Sequence, residues 1–169
     1  MEPIVNKIHK LLLKNKQTLA VAESCTGGML SDILTQSSGS SGYFILGLVA
    51  YSNSAKKTIL GVPSSVIDQK GAVSREVALK MAGNIKKISK TDFGIGITGI
   101  AGPTGGTLQK PIGMVFIAVA SKNKAICERF HFKGNRSAIR KKSALKALEL
   151  LMKLLKNESF YCYRAAPTD

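Results

Sequence analysis

The chain has 169 residues, 44% of them hydrophobic, and no apolar run near the roughly 18 residues that cross a bilayer, so composition indicates one domain at 1–157, a short tail at 158–169 and no membrane partner. Cys25, Cys127 and Cys162 form no CxxC pair and His9 and His131 lie in no HExxH motif, which argues against a disulfide scaffold, a zinc knuckle and histidine-centred chemistry. Lys and Arg number 25 against 10 Asp and Glu, a net charge of +15 that draws anions.

The lysines spread along the whole chain, and no helix-turn-helix, finger or RNP-like pattern accompanies them. A nucleic-acid partner therefore stays open but is not favoured over a small anion.

In chain order, Pro3–Lys14 sets Ile4, Ile8, Leu11 and Leu12 on one helical face. MEPIVNKIHKLLLKNK has no small-residue cleavage site and does not resemble a secretory signal, so the expected compartment is the cytoplasm. Thr18–Glu23 reads as a buried strand that runs into Ser24-Cys25-Thr26-Gly27-Gly28, after which Met29–Thr35 turns into a helix. Gln36–Gly42 is a loop closed by Tyr43, and YFILGLVAY then reads as a central strand. Ser52-Asn53-Ser54 supplies caps for a helix near Ala55, which Gly61-Val62-Pro63 stops before a short turn or helix at Ser64–Gly71. From Ser74 to Lys90 a further helix carries Val77, Met81, Ile85 and Ile88 at near-helical spacing. Asp92–Thr98 is a strand that empties into GIAGPTGG and a loop continuing to Pro111. Met114–Ala120 and Ala125–Phe132 form a hairpin through Lys122-Asn123-Lys124, and a last helix from Ser137 to about Lys156 turns Ile139, Leu145, Leu148, Met152 and Leu155 inward.

Helices interspersed among buried strands predict an α/β fold, a three-layer α/β/α sandwich around a mixed β-sheet. Ligands in open sheets gather at the carboxyl ends of strands, and three loops stand there: 24–28, 51–56 and 99–106. They meet on one edge if their strands run in the same sense. Neither glycine loop is a Walker A or GxGxxG motif, so ATP or dinucleotide binding has no motif support. Ser24, at a strand-to-loop junction with the N–H groups of Thr26, Gly27 and Gly28 close behind it, is the leading candidate nucleophile. With no suitable histidine, a lysine of lowered pKa can serve as its base, and Lys56 is suitably placed; Lys57 points about 100° away around the helix. Tyr51 is placed to relay a proton or position the lysine. Plainer roles stay open for all three: Ser24 as a cap, Tyr51 as a half-buried aromatic, Lys56 as a surface charge.

AESCTGG at 22–28, VAYSNSAKKTILGV at 49–62, GAVS at 71–74 and TGIAGPTGG followed by KPIG at 98–113 together resemble the C-terminal domain family of the competence/damage-inducible protein CinA. The likeness spans about residues 5–155 and implies the same three-layer sandwich. It also implies nicotinamide-nucleotide amidase activity, the conversion of nicotinamide mononucleotide and water to nicotinic acid mononucleotide and ammonia. The family's catalytic serine, tyrosine and lysine fall on Ser24, Tyr51 and Lys56, with no metal or other cofactor required and a homodimer or larger homo-oligomer expected. For the substrate phosphate, Gly102, Gly105 and Gly106 offer N–H groups, and Arg136, in a GNR segment like the family's G[DN]R, and Arg140 offer charge. Thr104 stands where an acidic residue is frequent in the family. Many relatives carry an additional N-terminal domain linked to metal-dependent pyrophosphatase activity, and neither is expected of this chain. Two other classes remain beside the amidase: the same chemistry on a different small nucleotide or pyridine amide, or a non-catalytic, basic nucleic-acid-associated module linked to competence and DNA damage.

Overall fold

The computed structural model describes residues 2–164. Helix α1 (Glu2–Asn15) buries Ile8 and Leu12 with Ile4 and Leu11 partly covered, as the spacing predicts, and adds Val5 to that face. Strand β1 (Leu19–Glu23) is buried along its whole length. With β2 (Phe44–Val49), β3 (Phe93–Gly99), β4 (Met114–Ala120) and β5 (Ala125–His131) it forms one sheet of order β2-β1-β3-β4-β5. β2, β1 and β3 run parallel, Val21 lying between Gly47 and Ile95, while β4 and β5 are antiparallel to their neighbours. The Ser121 N–H closes the β4–β5 hairpin on the Lys124 carbonyl at 2.7 Å.

Helices α2 (Met29–Thr35) and α6 (Arg136–Arg164) join α1 on one face of the sheet. There Val21, Ile95, Ile97, Val115 and Ile117 meet Leu30, Leu34, Ile139, Leu148 and Leu151. Helices α3 (Asn53–Thr58), α4 (Ser64–Lys70) and α5 (Arg75–Ser89) lie on the opposite side, where Ala20 and Ala22 pack with Leu60, Val62, Ile67, Val77, Met81 and Ile85. The result is the expected three-layer α/β/α sandwich around a mixed sheet. Tyr43 closes its loop as expected, fully buried with its hydroxyl donating to the Leu34 carbonyl at 2.8 Å. No helix among the described residues is long and apolar enough to cross a membrane.

Three expectations need correction. The YFILGLVAY run is not a central strand: β2 lies at the sheet edge, and Ile45 and Val49 are 51% and 43% exposed. With no polar residue to mark the solvent side, its alternation was invisible. Ile88 does not turn inward with Val77, Met81 and Ile85 but is exposed in the last turn of α5. α6 continues past Lys156 to Arg164, so the first part of the expected tail is helical, and 165–169 lie outside the described residues.

The closest contact between layers is made without side chains. β3 alternates Gly94, Ile95, Gly96 and Ile97; both isoleucines enter the α6-side core, and both glycines face α5. A Cβ on Gly94 would stand 2.2 Å from the Ala82 carbonyl oxygen, and one on Gly96 2.4 Å from that of Ala78. The helix backbone therefore rests directly on the strand. We expect Gly96→Ala to destabilise the protein by at least about 2 kcal/mol. Gly83→Ala, inside α5 with open space around the added methyl, should instead be neutral or stabilising by up to about 1 kcal/mol. Urea denaturation of both variants checks this, and equal effects would refute the close-packing account.

Candidate active site

Because β1, β2 and β3 are parallel, the segments that follow them emerge on the same edge of the sheet. The first is held by a residue the sequence reading did not single out. Glu23, at the end of β1, is fully buried, and its carboxylate accepts from the N–H groups of Gly28 (3.1 Å), Leu30 (3.1 Å) and Ser31 (2.8 Å) and from the Ser31 hydroxyl (2.7 Å). The chain must fold back on its own strand end to reach it, and Gly27 and Gly28 supply the required positive φ, 60° and 93°. An acid at a strand end just before a Gly-Gly helix start was the legible signal for this cap.

This fold-back corrects the expected oxyanion donors. The Gly27 N–H donates to the Ser24 carbonyl at 3.1 Å and that of Gly28 to Glu23, so neither is free for a ligand. The N–H of Thr26 meets no backbone acceptor among the described residues, while that of Cys25 faces its own thiol.

The second segment brings the lysine. Ser52 caps α3 by accepting from the Ala55 N–H at 3.0 Å, and the next residue, Lys56, turns back beneath the strand ends. Lys56 is 2% exposed. Its Nζ lies 2.9 Å from Ser24 Oγ and donates to the carbonyls of Ala50 (3.0 Å) and Tyr51 (3.3 Å). No carboxylate pairs with it among the described residues. Burial lowers its pKa from 10.5, opposed by the neighbouring Cys25. The hydrogen-bonding partners of the amine are thus two backbone carbonyls and the serine hydroxyl. Lys57 instead lies at the surface, 3.5 Å from Asp68.

Tyr51 reaches this arrangement only through its carbonyl. The residue is 59% exposed, and its hydroxyl accepts from Arg136 at 2.7 Å, so the phenol is engaged away from Lys56. Arg136 also donates to the Gly102 carbonyl at 2.7 Å, joining the second segment to the third. Between them opens a cleft of about 250 Å³, lined by Ser24, Cys25, Tyr51, Gly102, Thr104, Gly105 and Arg136 among others. Thr26, Gly27, Gly28, Gly106 and Arg140 are not in its lining. Gly106 sits against Ile112, and Arg140 donates from Nε (3.0 Å) and a terminal nitrogen (2.7 Å) to the Thr26 carbonyl.

Cys25 shares the cleft with Ser24, but burial pushes its thiol up to about 12, so at neutral pH it is not the thiolate that would compete as nucleophile. Arg136 is the one charged side chain in the lining, which therefore favours an anion. No group of three or more His, Cys, Asp or Glu side chains is placed to hold a metal ion among the described residues.

The sequence matches the CinA C-terminal domain over residues 1–155. It is 48% identical over 155 residues to a CinA-like protein of Thermotoga neapolitana, covering 92% of this chain but 38% of that protein. Thus the chain spans under two-fifths of the length of such relatives. Among solved structures it is similar to the competence/damage inducible protein CihA of Agrobacterium tumefaciens, with a TM-score of 0.89 and 36% identity over 90% of this chain and 94% of that one. A competence-damaged protein (CinA) superfamily protein of Escherichia coli follows at 0.86 and 30% identity, over 89% and 88% of the two chains.

The lowered Lys56 pKa has a signed consequence. Between its folded pKa and 10.5 the unfolded chain holds a proton that the folded chain does not, so this site's contribution to stability rises with pH across that window and falls as pH drops. Lys56→Met removes the contribution. Its stability relative to wild type, from urea denaturation between neutral pH and about pH 10, should be greatest at the low end and decline upward. A constant difference would show that the lysine is not perturbed.

Proposed function

Since the chain belongs to the CinA C-terminal domain family, we propose that its cleft hydrolyses nicotinamide mononucleotide to nicotinic acid mononucleotide and ammonia. The observation that carries this reading is the 2.9 Å contact between Ser24 Oγ and a buried lysine without a counter-carboxylate. A serine needs a base to attack an amide, and a lysine whose pKa is lowered by burial is suited to that role.

In the proposed reaction Ser24 Oγ attacks the carboxamide carbon while its proton passes to Lys56 Nζ. The oxyanion forms near the N–H group of Thr26. The tetrahedral intermediate collapses as Lys56 returns that proton to the departing nitrogen, which leaves as ammonia, and an ester to Ser24 remains. Water then attacks the ester, Lys56 takes its proton, and the proton goes back to Ser24 as the acid departs. The positive pyridinium ring withdraws electrons from the amide and assists the first attack. In this account the proton moves directly between Ser24 and Lys56. Tyr51 instead shapes the anion end of the cleft with Arg136, where the phosphate would sit beside Gly102 and Gly105.

Ammonia release from nicotinamide mononucleotide is the direct test. Ser24→Ala and Lys56→Ala should each lose about 10³-fold or more in kcat, whereas Lys57→Ala stays near wild type. Arg136→Ala should raise KM about tenfold or more. No release by folded wild-type protein would sink the substrate assignment.

The charge supplies an independent readout. With a net charge of +15 and an arginine in the cleft, kcat/KM for this anionic substrate should fall as ionic strength rises, because the Debye length contracts from about 30 Å at 0.01 M to about 8 Å at 0.15 M. A salt-independent kcat/KM would mean that the field plays no part in capture.

A further inference from the structure

We infer that Arg140 is a positioning residue that holds the Ser24–Gly28 turn, and with it the nucleophile, in attacking geometry. The inference rests on reading Ser24 as the nucleophile. Arg136 and Arg140 lie one helical turn apart at the start of α6, and spacing alone assigns both to an anion. The structure separates them. Arg136 lines the cleft, whereas Arg140 spends two N–H donors, at 3.0 and 2.7 Å, on the single carbonyl of Thr26.

The turn needs such support because little inside it resists deformation. Its internal hydrogen bonds are Gly27 N–H to the Ser24 carbonyl at 3.1 Å and Met29 N–H to the Thr26 carbonyl at 3.3 Å. Two consecutive glycines, both at positive φ, leave its backbone freer than any other residue pair would. External groups hold it instead. The Glu23 carboxylate takes the N–H groups of Gly28, Leu30 and Ser31, Lys56 reaches the Ser24 hydroxyl, and the Arg140 guanidinium grips Thr26. The guanidinium also lies against Gly27, where an added Cβ would come within 3.2 Å of its terminal nitrogen. Among the described residues Arg140 is thus the hydrogen-bonded link from α6 to the middle of the turn, and its loss leaves Ser24 free to shift against Lys56. A displacement of about 1 Å between reacting groups is worth about 10²-fold in rate. Because Arg140 does not line the cleft, that loss falls on kcat and not on KM.

The experiment uses phenylmethanesulfonyl fluoride as a probe of Ser24, read by intact mass and peptide mapping on the full chain. The serine oxygen bonds to sulfur, fluoride leaves and the serine proton passes to Lys56, so labelling reports nucleophile geometry whatever the natural substrate is. Arg140→Ala should be labelled about 10²-fold more slowly than wild type. Added guanidinium chloride at non-denaturing concentration should restore much of the rate, Arg140→Lys should fall between, and exposed Lys141→Ala should match wild type. With nicotinamide mononucleotide, kcat of Arg140→Ala should drop by the same factor while KM stays within about threefold. An unchanged labelling rate, or a rise in KM with kcat intact, would overturn the inference by placing Arg140 on the substrate. If Arg140→Ala does not fold, Arg140→Lys carries the same comparison. Labelling of wild-type Ser24 without ammonia release would defeat the amidase reading alone, and the variants would still decide the role of Arg140; no labelling of wild-type Ser24 would overturn both.

Discussion

A lysine withdrawn from water with no carboxylate beside it must either give up its proton or gather enough hydrogen bonds to keep it, and the site around Lys56 is organised by that constraint. The three groups within hydrogen-bonding distance of its Nζ are Ser24 Oγ and the carbonyls of Ala50 and Tyr51. All belong to strand ends that only the parallel arrangement of β1 and β2 brings side by side. The Ser52 cap matters for the same reason, because it starts α3 at the one phase that sends Lys56 under the sheet edge and Lys57 to the surface. Topology, cap and burial together set a basic side chain, out of water, against the Ser24 hydroxyl.

The charges around Ser24 act mostly on backbone. Glu23 is buried and negative, yet its contacts are N–H groups of α2 and the Ser31 hydroxyl, not a cation. Arg140 is positive, and its contact is the Thr26 carbonyl. Arg136 repeats the pattern at the cleft, where it binds the Gly102 carbonyl and the Tyr51 hydroxyl and ties two loops into one wall. From its first turn, α6 fastens all three loops of the site.

Much of this was legible in the sequence, and the exceptions have identifiable causes. Met29–Thr35 and Met114–Ala120 were found at their true limits because glycine, proline or a charged turn brackets each apolar run. Pairing Ser24 with Lys56 needed only that two strands run the same way. The edge position of β2 was hidden because FILGLV is apolar on both faces. Arg136 and Arg140 could not be told apart because residues four apart on a helix differ by only about 40° in direction, while the cleft ends between them. The role of Glu23 was harder to read because three of its four partners are backbone N–H groups, which leaves its place just before Gly27-Gly28 as the signal. The exposed position of Tyr51 followed from a contact 85 positions away with Arg136, beyond any local pattern.

The seating of α5 on β3 also bears on how this molecule can vary. Gly94 meets the carbonyl of Ala82 and Gly96 that of Ala78, so backbone touches backbone there, with the Cβ atoms of Lys86 and Met81 close beside. Residues on the outer face of α5 can therefore drift without moving the helix, and with it the sheet whose ends carry the site. At the two glycines drift is closed, since even a methyl group would require the whole helix to lift. The layer spacing is thus inherited through two hydrogen atoms as well as through the inward side chains of Val77, Met81 and Ile85, and it leaves the outer face of the helix free.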